Sequence, residues 1–227
     1  MAQGLRYSVD LALCINATGS MTSIIDRVKE GAINFERDFR AALDEKGKEI
    51  DALRVRVVAF RDFWADADSL QVSDFFTLPD QSDAFASFVR GIEARGGGDD
   101  PESGLEALAL AIQSDWTTSG DKRRHVIVVW TDTGPHPLDK GASEHPPGYP
   151  EGMPVSFDEL TDMWDGAAQS SKMQAAAKRL IVFAPDAHGW TDIGNHWTQS
   201  LHYVSRAGRG LTEVEYKVII EVMSQDI

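Results

Sequence analysis

Tyr7-Ser8-Val9-Asp10-Leu11-Ala12-Leu13-Cys14-Ile15, followed directly by Asn16-Ala17-Thr18-Gly19-Ser20-Met21, is the stretch whose reading decides the fold. Its first part is a nearly continuous apolar run, the pattern of a strand buried on both faces of a parallel sheet. Its second part is a turn of small, oxygen-bearing residues. Beyond the turn, Ile24, Ile25, Val28, Ala32, Phe35 and Phe39 recur at helical spacing to about Leu43. A helix with one apolar face needs a sheet beneath it, so strand, loop and helix read as one unit.

The same pattern returns along the chain. Arg124 to Thr131 (RHVIVVWT) is a second buried strand, Leu180 to Ala184 a third, and His202 to Ser205 a short last one. Leu53 to Phe60 and Ser69 to Leu78 read as two strands joined by a polar turn, Trp64 to Asp68. A link that short favours an antiparallel pair. Helices are expected over 82–93, over 102–112 with Pro101 opening the first turn, over 157–178, over 188–200 as a short piece, and over 211–223. Thr133 to Ser156 carries six of the nine prolines and is expected to be an irregular insertion. The sum is one α/β domain over 1–227. It is doubly wound, with a mostly parallel sheet, helices on both faces and one antiparallel edge strand.

Composition narrows the function. A formal charge of −14 and a pI near 4.7 exclude a basic face for phosphate, hence nucleic acid, and disfavour anionic membrane surfaces. An acidic domain instead suits cations and basic or neutral protein partners. The lone Cys14 rules out an internal disulfide framework and, between Leu13 and Ile15, reads as a buried strand residue. No apolar run approaches the ~20 residues of a membrane span, and Met1 to Arg6 lacks the apolar stretch of a signal peptide. The expected location is cytoplasmic.

In open α/β sheets ligands sit at the carboxyl ends of the strands, at the switch point. That rule selects the loop after Ile15 and the loop after Thr131, the latter reading Asp132-Thr133-Gly134-Pro135-His136. Between them in the chain a further loop, the second of the three, Gly96-Gly97-Gly98-Asp99-Asp100-Pro101-Glu102, precedes a helix and can bring an Asp to the same place. Asn16, Thr18 and Ser20 at alternate positions offer three oxygens around one turn, and Asp132 with Asp99 or Asp100 supplies negative charge. An all-oxygen set suits a hard divalent cation such as Mg²⁺.

The order of strand, Asn16-Ala17-Thr18-Gly19-Ser20-Met21, helix, Gly-Gly-Gly-Asp-x-Pro-Glu loop, and buried strand ending in Asp-x-x-Pro-His resembles a von Willebrand factor type A domain. The likeness is strongest to its bacterial and alpha-kinase-associated branch and runs over most of residues 7 to 206. The resemblance implies a metal-ion-dependent adhesion site. Thr18 and Ser20 would be direct ligands of Mg²⁺ (or Mn²⁺ or Ca²⁺), and Asp132 the acid of the third loop. Asp99 would take the place that integrin-like members give to Thr, and a partner protein's carboxylate would complete the shell. Where the family has Asp in the first position this chain has Asn16, which removes one negative charge and leaves an amide oxygen to accept from a metal-bound water.

Other readings compete. Thr18 or Ser20 serves equally as a helix cap. His136 placed beside Asp132 suggests a metal-dependent hydrolase with His136 as base, and loss of the metal would leave a vestigial scaffold. His136, His145 and Glu144 fit no zinc spacing, and His188, His196 and His202 beside Trp190 and Trp197 read as aromatic packing. The binding face is expected to join the metal edge to the insertion, with Tyr149 and Met153 as exposed apolar anchors.

Overall fold

In the computed structural model, residues 6–32, 34–98, 100–120, 122–140, 145–167, 173–205, 220–221 and 224–225 are described. Seven strands form one sheet: β1 (Arg6–Asn16), β2 (Glu49–Phe60), β3 (Leu70–Val72), β4 (Phe76–Leu78), β5 (Arg123–Trp130), β6 (Lys178–Pro185) and β7 (Ser200–Ser205). Their order is β3-β2-β1-β5-β6-β7, with β4 also paired to β2. The five long strands run parallel; only β3 and β4 run against β2. The α/β, mostly parallel sheet read from the sequence is therefore the one found.

β1 lies near the centre because its run from Val9 to Ile15 is apolar apart from one paired acid. Val9, Leu11, Leu13 and Ile15 face one core, shared with α1 (Thr22–Ala32), α2 (Phe35–Asp44) and α3 (Ser82–Arg90). Ala12 and Cys14 face the other, shared with α4 (Gly104–Ile112), α5 (Phe157–Asp165) and α6 (Trp190–His196). The one charge inside the strand, Asp10, is held by both Arg54 Nε at 2.8 Å and Nη2 at 2.6 Å. Cys14 is buried as expected, and burial pushes its thiol up to about 12. α4 is buried on every side but Leu110, which explains its lack of a polar face: the sheet covers one side, α5 and the insertion the other.

Several boundaries differ from the sequence reading, each for a local reason. The helix from Ile24 to Leu43 is two helices, with Gly31 and Asn34, poor helix formers, at the junction. The strand 69–78 is split into β3 and β4. Val72 pairs with Val58 and Phe76 with Val55, so the edge carries one residue more than β2 across the break. Ser73 fills the gap, its Oγ accepting from Val57 N at 2.9 Å and donating to Asp74 O at 2.7 Å. That extra residue turns Phe75 to the opposite face, against Trp116 and the Arg54 guanidinium. The helix over 157–178 stops at Asp165, because Gly166 takes the left-handed conformation at φ 81°. α4 begins at Gly104, and Pro101 and Glu102 lie outside it. The helix over 211–223 lies outside the described residues except at Ile220 and Glu221. No helix among the described residues is long and apolar enough to cross a membrane.

Candidate metal centre

The connection from β1 leads to β2 on one side and that from β5 to β6 on the other, so the chain parts at the carboxyl ends of β1 and β5. Asn16 ends β1, and Thr131 and Asp132 follow β5. Two backbone bonds pin these ends: Ala17 N to Phe60 O at 2.7 Å, and Thr131 N to Phe183 O at 3.0 Å.

Four of the five sequence-predicted ligands meet there; Asp99 lies outside the described residues. The Thr18 backbone N–H donates to Asn16 Oδ1 at 2.9 Å, and Thr18 Oγ1 donates to the same oxygen at 2.8 Å. An N–H can only donate, so the amide oxygen is fixed on Thr18 and its nitrogen on the far side. There Nδ2 donates to Thr131 Oγ1 at 3.1 Å and Asp132 Oδ1 at 3.3 Å. Ser20 closes the ring: its Oγ lies 3.2 Å from Thr18 Oγ1, and its hydroxyl favours the ionised form of the Asp132 carboxyl. Asn16 thus organises the loops rather than offering its oxygen outward: that oxygen already takes two bonds. Asn16, Thr18 and Asp132 are buried and Ser20 is exposed, so the ring has one open side.

The second loop adds a residue that the sequence reading placed in a helix. Glu102 N donates to Gly134 O at 3.0 Å and His136 N donates to Glu102 O at 2.8 Å, which stitches this loop to the one after β5. The Glu102 side chain is 4% exposed, yet its Oε2 has no hydrogen-bond partner. Burial, then Asp62, Asp66, Asp132 and Asp100, push its carboxyl up to about 8. Burial likewise raises Asp132, opposed by the Ser20 bond. Gly97, at φ 78°, is the cradle between them: a Cβ there would stand 2.9 Å from Thr18 Cβ and 3.0 Å from Glu102 Oε1. Asp100 is exposed and accepts from Thr133 Oγ1 at 2.7 Å.

Two hydroxyls and two buried carboxylates, one of them with an orphaned oxygen, make an oxygen-only donor set, and that chemistry fits Mg²⁺, Mn²⁺ or Ca²⁺. Among the described residues no three His, Cys, Asp or Glu side chains stand together as a metal cluster, so a cation here depends on the hydroxyls of Thr18 and Ser20. A Glu after a Gly-rich loop, in the same connection before α4 as the expected Asp, was the available signal for Glu102.

His136 is committed elsewhere. Its Nε2 lies 3.1 Å from Asp62 Oδ1, both side chains are buried, and the ring packs edge-on to Trp64. The insertion is also less exposed than expected. Leu138 is buried, Met153 packs on the second core, and Gln113 Nε2 donates to Gly152 O at 2.8 Å. Tyr149 turns inward, its hydroxyl donating to Glu106 Oε1 at 3.2 Å and its ring packing against Phe63 and Trp64. Tyr149 is thus a latch on α4, not a free anchor.

Glu106 is fully buried, and burial raises its carboxyl to about 7. A folded-state value above the unfolded one means stability fully present below about pH 4.5 and lost as pH rises through 7. Glu106→Gln is therefore expected to raise the melting temperature at pH 8 by the equivalent of about 1–2 kcal/mol, with little change at pH 4.5. Paired thermal melts at the two pH values check this; an equal shift at both would detach the effect from ionisation.

No protein-family model matches the chain, and no curated protein matches it. Solved structures do. The pilus adhesin SpaC from Lactobacillus rhamnosus GG superposes with a TM-score of 0.56 at 11% identity, covering 99% of this chain and 31% of that one. Its open conformation gives 0.54, again at 11% identity, with 99% and 30% covered. A von Willebrand factor type A protein from Catenulispora acidiphila, at 13% identity, covers 96% of this chain and 41% of that one with a TM-score of 0.46. This chain thus spans less than a third of the pilus adhesin's length, and what the two share is a fold: a mostly parallel α/β sheet with helices on both faces.

Proposed function

We propose that this chain is a protein-binding module whose contact is made through a divalent cation, of the kind that von Willebrand factor type A domains carry. Thr18, Ser20, Glu102 and Asp132 would hold Mg²⁺, Mn²⁺ or Ca²⁺, directly or through water, and a carboxylate of the partner would complete the shell. The observation that carries this reading is the buried Glu102 carboxyl, whose Oε1 borders the Thr18–Gly97 cradle and whose Oε2 has no hydrogen-bond partner. A carboxylate oxygen out of water without a donor is costly, and a cation is the economical remedy. Likeness to a pilus adhesin supports a binding role over an enzymatic one, and His136, tied to Asp62, is poorly placed to act as a base. The bound cation would polarise and fix the incoming carboxylate; Asn16 would hold Thr18 in place and Gly97 would keep the cradle open.

One observation favours a second reading, a scaffold that works without a cation: the Asn16 amide already bonds Asp132, as a cation would. Asn16→Asp separates the two. It deletes both amide donations and sets a third carboxylate against Asp132, so the metal-free protein should lose stability by about 1–3 kcal/mol. With the extra charge Mn²⁺ should bind about tenfold more tightly. Thermal melts in EDTA and in Mn²⁺ measure both effects. If the variant melts at the same lowered temperature with and without Mn²⁺, the cation-free scaffold is the better account.

A further inference from the structure

The mouth of the candidate centre carries a charge pattern that goes beyond its ligands. The groups acting most strongly on Glu102 are all carboxylates, Asp62, Asp66, Asp132 and Asp100. Asp66 Oδ2 accepts from Gly97 N at 3.0 Å, which places its charge on the second loop beside the cradle. Asp100 and Asp186 are exposed at the same ends of the strands. The nearby cations are drawn aside. Arg95 pairs with Asp68 at 2.8 Å and Glu93 at 3.4 Å. Arg61 spends its guanidinium on the carbonyls of Ala17, Asp68 and Glu93, and Lys140 lies over Trp64 against His136. A divalent cation offsets Glu102 and Asp132 and leaves Asp100, and Asp66 shared with Arg61, around the opening.

Resting on the cation-dependent reading above, we infer that the partner presents its carboxylate from a locally basic segment, an Asp or Glu with Lys or Arg on either side. A carboxylate delivered by an acidic segment would meet Asp66 and Asp100 before it met the cation. Flanking positive charges turn that repulsion into steering and set the ligand's register. Two observations support it independently: the acidic rim, and the buried Glu102 carboxyl, whose Oε1 borders the cradle and whose Oε2 is without a partner. The basic segment recognises the first, and the cation with its incoming carboxylate answers the second.

The test uses the whole chain and short fluorescein-labelled peptides with one central Asp, flanked two positions either side by Lys or by Glu, read by anisotropy in Mg²⁺. The Lys-flanked peptide should bind about tenfold more tightly than the Glu-flanked one at about 50 mM NaCl, the gap closing to about threefold at 300 mM. Asn in place of the central Asp, or EDTA, should abolish the binding. Asp66→Asn, which keeps an oxygen for Gly97 N–H, should narrow the flank preference about twofold to threefold without changing Mn²⁺ affinity more than about twofold. Equal binding of the two peptides, binding of neither, or Lys-flanked binding that ignores the central Asp and EDTA overturns the inference. Mn²⁺ binding, measured on the same protein, tells the two levels apart. If Mn²⁺ binds without a flank preference, only the basic-segment inference falls; if Mn²⁺ does not bind, the cation-dependent reading falls with it.

Discussion

Asp132→Asn is expected to lower Mn²⁺ affinity about 100-fold, and Glu102→Gln to lower it by a similar factor. Each removes a carboxyl that a bound cation would hold ionised, and each hands the cation an amide that is a poorer ligand. The two variants should differ in the absence of metal. Asp132 already accepts from the Asn16 amide, and the Ser20 hydroxyl favours its ionised form, so its exchange disturbs a satisfied network. Glu102 has an orphaned oxygen and a carboxyl raised to about 8, so a neutral glutamine should leave the metal-free protein as stable or more so. Calorimetric titration with Mn²⁺, alongside thermal melts in EDTA, reads both effects. Loss of affinity without loss of stability in Glu102→Gln marks a residue kept for binding at some cost to the fold. Unchanged affinity in both variants would remove these side chains from the site.

Trp190→Ala is expected to cost the fold about 3–5 kcal/mol, or roughly 10 °C in melting temperature. Trp190 is completely buried, and its ring lies so close over Gly104 that a Cβ there would stand 2.5 Å from Cζ2. Its Nε1 donates to Thr133 O at 3.1 Å, so the same ring that fills the core also ties down the loop carrying Asp132. The loss should therefore weaken Mn²⁺ binding as well, in protein that is still folded at 20 °C. Trp190→Phe keeps most of the packing and drops the hydrogen bond, and should cost only about 1 kcal/mol. If Trp190→Ala alters stability but leaves Mn²⁺ affinity unchanged, the loop holds its shape without that tie.

Glu102 and Tyr149 mark the limits of what the sequence makes legible. β1 and β5 are readable because burial on both faces leaves the unbroken apolar runs Leu11 to Ile15 and Val126 to Trp130, and Asn16, Thr18 and Ser20 because one turn holds them adjacent. Glu102 is harder to see. An acid after a proline at a helix start is the ordinary complement of a helix dipole, and only the backbone pairing of Glu102 with Gly134 and His136 takes it out of the helix. Tyr149 misleads for a similar reason: its inward turn depends on Glu106, 43 residues earlier, and no local pattern encodes that contact. The split of the edge strand rests on one hydroxyl, Ser73, reaching the backbone of β2. Asn16 is legible in position but not in orientation, since which end of its amide faces Asp132 follows from the Thr18 N–H.

The central claim is a cation among the hydroxyls of Thr18 and Ser20 and the carboxylates of Glu102 and Asp132, and anomalous diffraction from crystals grown with Mn²⁺ tests it most directly. The expected result is one anomalous peak bounded by Thr18 Oγ1 and Ser20 Oγ, with Glu102 and Asp132 reaching it directly or through water. No peak there, with the Asn16 amide still bonded to Asp132 and Glu102 still without a partner, would contradict it.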